Sequence, residues 1–134
     1  GRVVGRCVLE VIDPTATAVG GMTMGADPIA VAAAVLADHP LRAFSVRKQE
    51  KTHGLKGRIV GPVRAADRAV VVEDTVTTGD SMAEAVEVLQ QEGVEVVQAI
   101  VLVDRSRGAA ASRLAALDVP LVSLLVPADL GVAI

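Results

Sequence analysis

Aromatic side chains are almost absent: the 134 residues include one phenylalanine, Phe44, and neither tryptophan nor tyrosine. Such a chain has no platform on which to stack a heterocycle, so any base it binds must be held mainly by polar contacts. Cysteine is as scarce. Cys7 alone cannot close an internal disulfide, which points to a reducing, cytoplasmic setting. It sits in an apolar helical pattern with Val3, Val4, Val8 and Val11 and reads as a packed thiol rather than a nucleophile. Two histidines, His39 and His53, form no recognisable metal-ligand spacing with that cysteine, and His39, beside Pro40 at a helix end, reads as a surface residue. No apolar run is long and uninterrupted enough for a signal peptide or a membrane span. Positive charge is not in excess either. A net charge of −3 and a pI near 5.3 argue against a general nucleic-acid binder, which needs a basic surface for phosphates.

What is present is a core. With 51% hydrophobic residues the chain is not disordered, and its length suits one domain spanning residues 1–134. The basic residues are unevenly spread. Residues 47–68 hold seven Lys or Arg against two acids, Glu50 and Asp67, more than half of the thirteen basic residues in the chain. A localised polyanion is the natural partner for such a segment.

Apolar periodicity gives alternating elements. Residues 1–12 read as a helix ended by Asp13-Pro14-Thr15, and residues 16–19 as a short strand. A glycine-rich loop over 20–26 leads to Asp27 as helix cap and Pro28 at the first helical position. The helix over 27–38 is rich in Ala and Val on all sides and is expected to be well buried. A strand over 43–46 precedes the basic segment 47–68, which is too long for an ordinary connection and reads as a mobile, functional loop. Strands over 69–73, 96–103 and 121–126, with helices after the first two, complete an α/β pattern: a mostly parallel open sheet flanked by helices.

The most informative stretch is Val70-Val71-Val72-Glu73-Asp74-Thr75-Val76-Thr77-Thr78-Gly79-Asp80-Ser81. Three valines read as a buried parallel strand, and Ser81-Met82-Ala83-Glu84 reads as a helix start with a capping box. Two carboxylates then lie at the carboxyl end of a strand with helix N–H groups a few residues on, where open α/β sheets bind ligands. Thr77, Thr78, Gly79, Asp80 and Ser81 can offer hydroxyls and backbone donors to a phosphate without any lysine. Glu73 and Asp74 can accept from sugar hydroxyls and, as anions, stabilise positive charge on a ring. The pattern reads as a sugar-phosphate site; taken alone, the same residues also serve as turn, cap and strand-end residues.

A second motif, Arg47-Lys48-Gln49-Glu50-Lys51-Thr52-His53-Gly54, brings cations suited to closing over a pyrophosphate and stabilising the charge that appears as it leaves. Lys51 and His53 are the best candidates, since an imidazole titrating near neutrality can also donate a proton to leaving oxygens. Arg105, in Asp104-Arg105-Ser106-Arg107, suits a carboxylate but equally reads as part of a surface charge cluster.

The twelve-residue pattern resembles the signature of the type I phosphoribosyltransferases, and the RKxxKxHG loop resembles the catalytic loop of the orotate phosphoribosyltransferases. The resemblance covers residues 20–131 and implies magnesium-dependent transfer of phosphoribose from phosphoribosyl pyrophosphate (PRPP) to orotate in pyrimidine synthesis. It implies that Glu73, Asp74, Thr75, Val76, Thr77, Thr78, Gly79, Asp80 and Ser81 bind the ribose 5-phosphate, with Thr77 also near orotate and Arg105 facing it. Arg47 would reach the pyrophosphate on its own subunit, while Lys48, Lys51 and His53 would act across a homodimer. Magnesium is implied to ride mainly on PRPP, with no direct protein ligand.

Three departures from the family stand out. Met24 replaces a lysine of many relatives, Glu73 an aspartate, and Asp80 adds an anion beside the phosphate turn. The chain also opens without a methionine, and the family's N-terminal hood segment is expected to be missing. The competing readings are a phosphoribosyltransferase for another base and a non-catalytic module of the same fold that senses PRPP or nucleotides. The loop cations and Arg105 favour the enzyme.

Overall fold

The computed structural model describes residues 1–48, 57–125, 129 and 131. In chain order the elements are helix α1 (Arg2–Val11), strand β1 (Ala18–Met22), helix α2 (Asp27–Leu36), strands β2 (Arg42–Val46), β3 (Ile59–Val60) and β4 (Arg68–Val76), helix α3 (Asp80–Gln91), strand β5 (Glu95–Asp104), helix α4 (Ala109–Ala115) and strand β6 (Leu121–Leu125). The sheet runs β3-β2-β1-β4-β5-β6. Its strands pair in parallel except for the short antiparallel β2–β3 step at the edge.

Alternation along the central strands divides the core between two faces. Val70 and Val72 pack with Val8, Ile29, Ala30 and Ala33, which places α1 and α2 on one side. Val71 packs with Met82, Val86, Leu89 and Leu114, which places α3 and α4 on the other. A strand covered on both faces has no polar side to show, which is why 70–72 reads as an unbroken valine run. Among the described residues no helix is long and apolar enough to cross a membrane.

Several boundaries differ from the sequence reading. The strand expected over 16–19 lies at Ala18–Met22, so Gly20 and Gly21 belong to the sheet rather than to a loop. The reason is steric. A Cβ on Gly21 would lie 2.4 Å from the Val72 carbonyl oxygen and 2.8 Å from the Ala26 Cβ, so this part of β1 is a close-approach strand rather than a flexible turn. The helix expected to be well buried is covered on one side only: Ile29, Ala30 and Ala33 are buried, but Val31 and Val35 of α2 are 53% and 75% exposed. Of the segment 47–68, expected to be one loop, residues 47–48 and 57–68 are described; they include β3, which a two-residue strand with no periodicity cannot announce in sequence, and Arg68, the first residue of β4.

At the amino ends of the strands one buried carboxylate gathers three connections. Asp67, 5% exposed, accepts from Thr17 Oγ1 at 2.8 Å, from the Arg64 N–H at 2.7 Å and from the Arg42 guanidinium. Thr17 Oγ1 in turn accepts from the Arg68 N–H at 2.8 Å. The entrances to β1, β2 and β4 are thereby tied together.

Gly21→Ala is expected to lower unfolding free energy by about 1–3 kcal/mol, because the added methyl group must displace backbone rather than a pliable side chain. Urea denaturation of the two proteins checks this; identical midpoints would show that the β1–β4 spacing can relax.

Candidate functional site

The carboxyl ends of β1 and β4 lie side by side, and the turns leaving them form two small recesses. One, of about 170 Å³, is lined by Met22, Thr23, Met24, Gly25, Lys48, Glu73, Thr75 and Ser81. The other, of about 100 Å³, is lined by residues 75–81. Thr75 and Ser81 belong to both, so the recesses adjoin. A larger hollow of about 610 Å³ lies between the ends of α1 and α2, lined mostly by apolar groups such as Leu9, Ile12 and Leu36. His39 borders that hollow with Nδ1 3.0 Å from Asp38 Oδ1.

β4 extends three residues beyond the strand end expected at residue 73, so both acids lie within it and point to different environments. Glu73 is 8% exposed, whereas Asp74 is exposed and accepts from the Thr75 N–H at 2.7 Å. Burial, reinforced by a hydrogen bond to Asp74 and by that residue's charge, pushes the Glu73 carboxyl up to about 7; the Asp74 backbone and the Lys48 charge pull the other way. The burial has a local cause. A Cβ on Gly25 would fall 2.4 Å from Glu73 Oε1 and 3.1 Å from Asp74 Oδ1, so the backbone of the β1–α2 turn lies directly against the acidic pair. The Thr23–Met24 peptide bond in this turn is cis.

The turn is held from its other side by Asp27. Its carboxylate accepts from Thr23 Oγ1 and from Ser45 Oγ, each at 2.7 Å. Asp27 is thus the first residue of α2 rather than its cap, which is Ala26. The sequence reading assigned the cap from residue type alone, and the long-range partner Ser45 overrides it.

The second turn also differs from expectation. α3 begins at Asp80, one residue before the expected cap Ser81, and its N-cap is Gly79 at φ 88. A side chain there would strain the backbone and meet the Ala110 Cα at 2.8 Å. Glu84, assigned to a capping box, instead pairs with Arg58. The first α-helical hydrogen bond runs from the Ala83 N–H to the Gly79 carbonyl, so the N–H groups ahead of it open toward Thr77 and Thr78, both exposed. Asp80 N–H reaches Thr78 Oγ1 at 3.2 Å, and the Asp80 carboxylate lies 3.4 Å from Arg113 Nε of α4. That partner draws the anion away from the turn.

Arg105 follows β5 directly beside the end of β4, its N–H bonded to the Val76 carbonyl at 2.9 Å and its side chain exposed. Asp104 accepts from the Ser106 N–H at 2.8 Å. Arg47 and Lys48 leave β2 on the other flank. The structure therefore brings Lys48, Glu73, Thr75, Val76, Thr77, Thr78, Gly79, Asp80 and Ser81 around two adjoining recesses; Asp74, next to Glu73, and Arg47, next to Lys48, line neither, and Arg105 lies beside the end of β4. Lys51 and His53 lie outside the described residues. Sequence reading missed Gly25 as a packing partner of the acids, and Arg58. A glycine in a glycine-rich loop and one arginine among seven basic residues carry no mark of their partners.

Residues 8–123 match the phosphoribosyl transferase domain family. The chain is 44% identical over 131 residues to the orotate phosphoribosyltransferase of Corynebacterium glutamicum, covering 97% of this chain and 71% of that protein. It is 45% identical over 129 residues to the orotate phosphoribosyltransferase of Mycobacterium avium, covering 96% and 72%. A solved structure of the Mycobacterium tuberculosis orotate phosphoribosyltransferase in complex with 5-phospho-α-D-ribosyl 1-diphosphate is similar with a TM-score of 0.84 at 39% identity, covering 97% of this chain and 75% of that one.

The displaced Glu73 carboxyl makes stability depend on pH. An acid raised in the folded state holds its proton more tightly there than in the unfolded chain, so its stabilisation is complete below about pH 4.5 and is lost as pH rises through about 7. Melting temperatures measured across that window should fall more for the wild-type protein than for Glu73→Gln. Parallel curves would remove Glu73 as the source.

Proposed function

The chain belongs to the orotate phosphoribosyltransferases, and from that membership we propose that it transfers phosphoribose from PRPP to orotate, forming orotidine 5′-phosphate and pyrophosphate for pyrimidine synthesis. The observation that carries the reading is the adjoining pair of recesses. The acids for ribose hydroxyls and the backbone donors for a phosphate lie at the end of one strand, β4, with Glu73 in one recess and the 77–81 turn in the other, and the two recesses share Thr75 and Ser81.

In this reading the turn 77–81 takes the 5-phosphate on its N–H groups and hydroxyls, with no lysine required. Glu73 and Asp74 accept from the ribose hydroxyls, and their charge favours the positive ring that develops as the bond from C1′ to the pyrophosphate oxygen breaks. A ring nitrogen of orotate gives up its proton and supplies the electron pair that forms the new bond at C1′, while the leaving pyrophosphate keeps the pair from the old bond and takes up that proton. Positioning and electrostatics suffice, so no protein nucleophile is needed. Arg47 and Lys48 approach from β2, where pyrophosphate departs, and Lys51 and His53 complete that group. Arg105 pairs with the orotate carboxylate, and Thr77 lies beside the base.

Among the described residues no cluster of three or more His, Cys, Asp or Glu is placed to hold a metal ion. A pair of acids beside a phosphate turn fits magnesium that enters on the PRPP oxygens. Bound there, it would neutralise charge on the departing pyrophosphate. A homodimer is part of the proposal, with Lys51 and His53 serving the neighbouring site; Lys48, expected to act there too, lines the recess of its own chain beside Glu73 and is assigned to that site instead. The exposed apolar side chains Val31 and Val35 on α2 support an association surface. The single cysteine is in keeping with action in the cytoplasm.

The direct test mixes the protein with orotate, PRPP and magnesium and follows loss of orotate absorbance and release of pyrophosphate, with uracil and hypoxanthine in parallel. Turnover restricted to orotate is expected. PRPP binding without turnover on any base would favour the sensing module. Arg105→Ala should raise the KM for orotate by about 10–100-fold, the span of one lost charge-assisted hydrogen bond, with the KM for PRPP little changed. Equal loss for both substrates would contradict its role. Mixing inactive Lys51→Ala and Asp74→Asn proteins should restore activity if the loop serves the partner's site. No recovery despite confirmed subunit exchange would contradict that arrangement.

A further inference from the structure

The Arg58 side chain is 19% exposed and makes contacts that neither the ribose-phosphate turn nor the orotate site explains. Its Nε donates to the Arg47 carbonyl at 2.9 Å, and its Nη2 donates to the Lys48 carbonyl at 2.7 Å. The same Nη2 donates to Glu84 Oε2 on α3. In return the Arg47 N–H donates to the Arg58 carbonyl at 2.6 Å, continuing the β2–β3 ladder by one step.

An isolated surface ion pair is worth little, and Glu84 is 48% exposed, so the Arg58–Glu84 pair alone would not attract notice. The difference lies in the other two acceptors. They are the main-chain carbonyls of Arg47 and Lys48, and Lys48 lines the recess that holds Glu73 and Ser81. The third acceptor stands on α3, about one turn after the phosphate turn. One planar guanidinium thus spans from the backbone beneath two cations to the helix that presents the anion-binding N–H groups. A lysine has no fork with which to hold acceptors on both sides.

We propose that Arg58 is a positioning residue for PRPP: by holding the Arg47 and Lys48 backbone against Glu84, it sets those two cations at a fixed distance from the 77–81 turn. This role rests on the function proposed above. It gives the Arg58–Glu84 pair, which lines neither recess, a part in arranging the residues that do. The β2–β3 ladder fixes residue 47 along the sheet, and Arg58 fixes it in the remaining direction, toward α3. Substrate anions at the two ends of PRPP then meet donors whose separation is set before binding, which lowers the ordering cost of the complex.

The test uses the full chain and reads KM for PRPP, KM for orotate, kcat and melting temperature for the wild type, Arg58→Ala, Arg58→Lys, Glu84→Gln and the double variant Arg58→Ala/Glu84→Gln. Arg58→Ala is expected to raise the KM for PRPP about tenfold, leaving the KM for orotate within about twofold and kcat less affected. Arg58→Lys should recover only part of the loss, and Glu84→Gln should show a smaller loss. The double variant should be no worse than Arg58→Ala alone, because both changes break one connection. A structural role alone would lower the melting temperature and raise the KM values for both substrates together, and that pattern overturns the proposal. So does an unmoved KM for PRPP in folded Arg58→Lys and Glu84→Gln, which serve if Arg58→Ala does not fold. A wild-type protein that neither binds nor turns over PRPP would overturn the functional reading and this role with it; an active wild type with unmoved variants overturns this role alone.

Discussion

The site depends on how closely the chain leaving β1 lies against the end of β4. Backbone stands where a side chain would otherwise be: Gly21 faces the Val72 carbonyl, with no room for a Cβ, and Gly25 faces the Glu73 and Asp74 carboxylates, which a Cβ there would push aside. That approach removes water from Glu73 and raises its affinity for a proton. A carboxyl shielded in this way interacts more strongly with any hydroxyl donor or cationic centre that displaces the proton than it would in open solvent. Gly25 thus bears on the electrostatics of a side chain far away in sequence.

The two ends of the sheet divide the work. At the amino ends, Asp67, itself buried, joins Thr17, Arg64 and Arg42 in one part-buried cluster, which fixes how β1, β2 and β4 enter the sheet. At the carboxyl ends the polar groups are left outward for a ligand, as open parallel sheets allow. A fixed entrance matters because the distance between the β1 turn and the β4 acids is inherited through the strands. Asp27 adds a local brace, tying Thr23 of the turn to Ser45 of β2.

Much of this was legible in the sequence. The valine run, the acid pair and the hydroxyl-rich turn gave the sheet type and the position of the site, because strand burial and helix N-termini have local signatures. What was not legible was long-range. Asp27 and Ser81 both looked like helix caps by residue type, yet Asp27 bonds Ser45 and α3 starts at Asp80 behind a left-handed Gly79. Gly20 and Gly21 looked like a loop because composition cannot show that a neighbouring strand needs their bareness. The exposure of Val31 and Val35 was hidden for the same reason: an apolar helix face announces burial without saying whether its own chain supplies the cover.

An acidic chain that takes a highly anionic substrate needs its charges sorted rather than abundant. Here the carboxylates stand on the inner strand β4, the phosphate turn offers backbone dipoles on one side, and Arg47 and Lys48 offer full charges on the other. In the proposed reaction the order matches the substrate, with phosphate at one end, hydroxyls and the reacting carbon between, and pyrophosphate at the other. Exchanging the acids with Arg47 and Lys48 would set a cation against the carbon that must become positive and an acid against the departing anion, raising the barrier twice. Asp80, the one acid within the phosphate turn, is compatible with this order because Arg113 stands beside it on the outer side. The net charge of the chain therefore says little about what it binds; the spacing between unlike groups at the strand ends says much more.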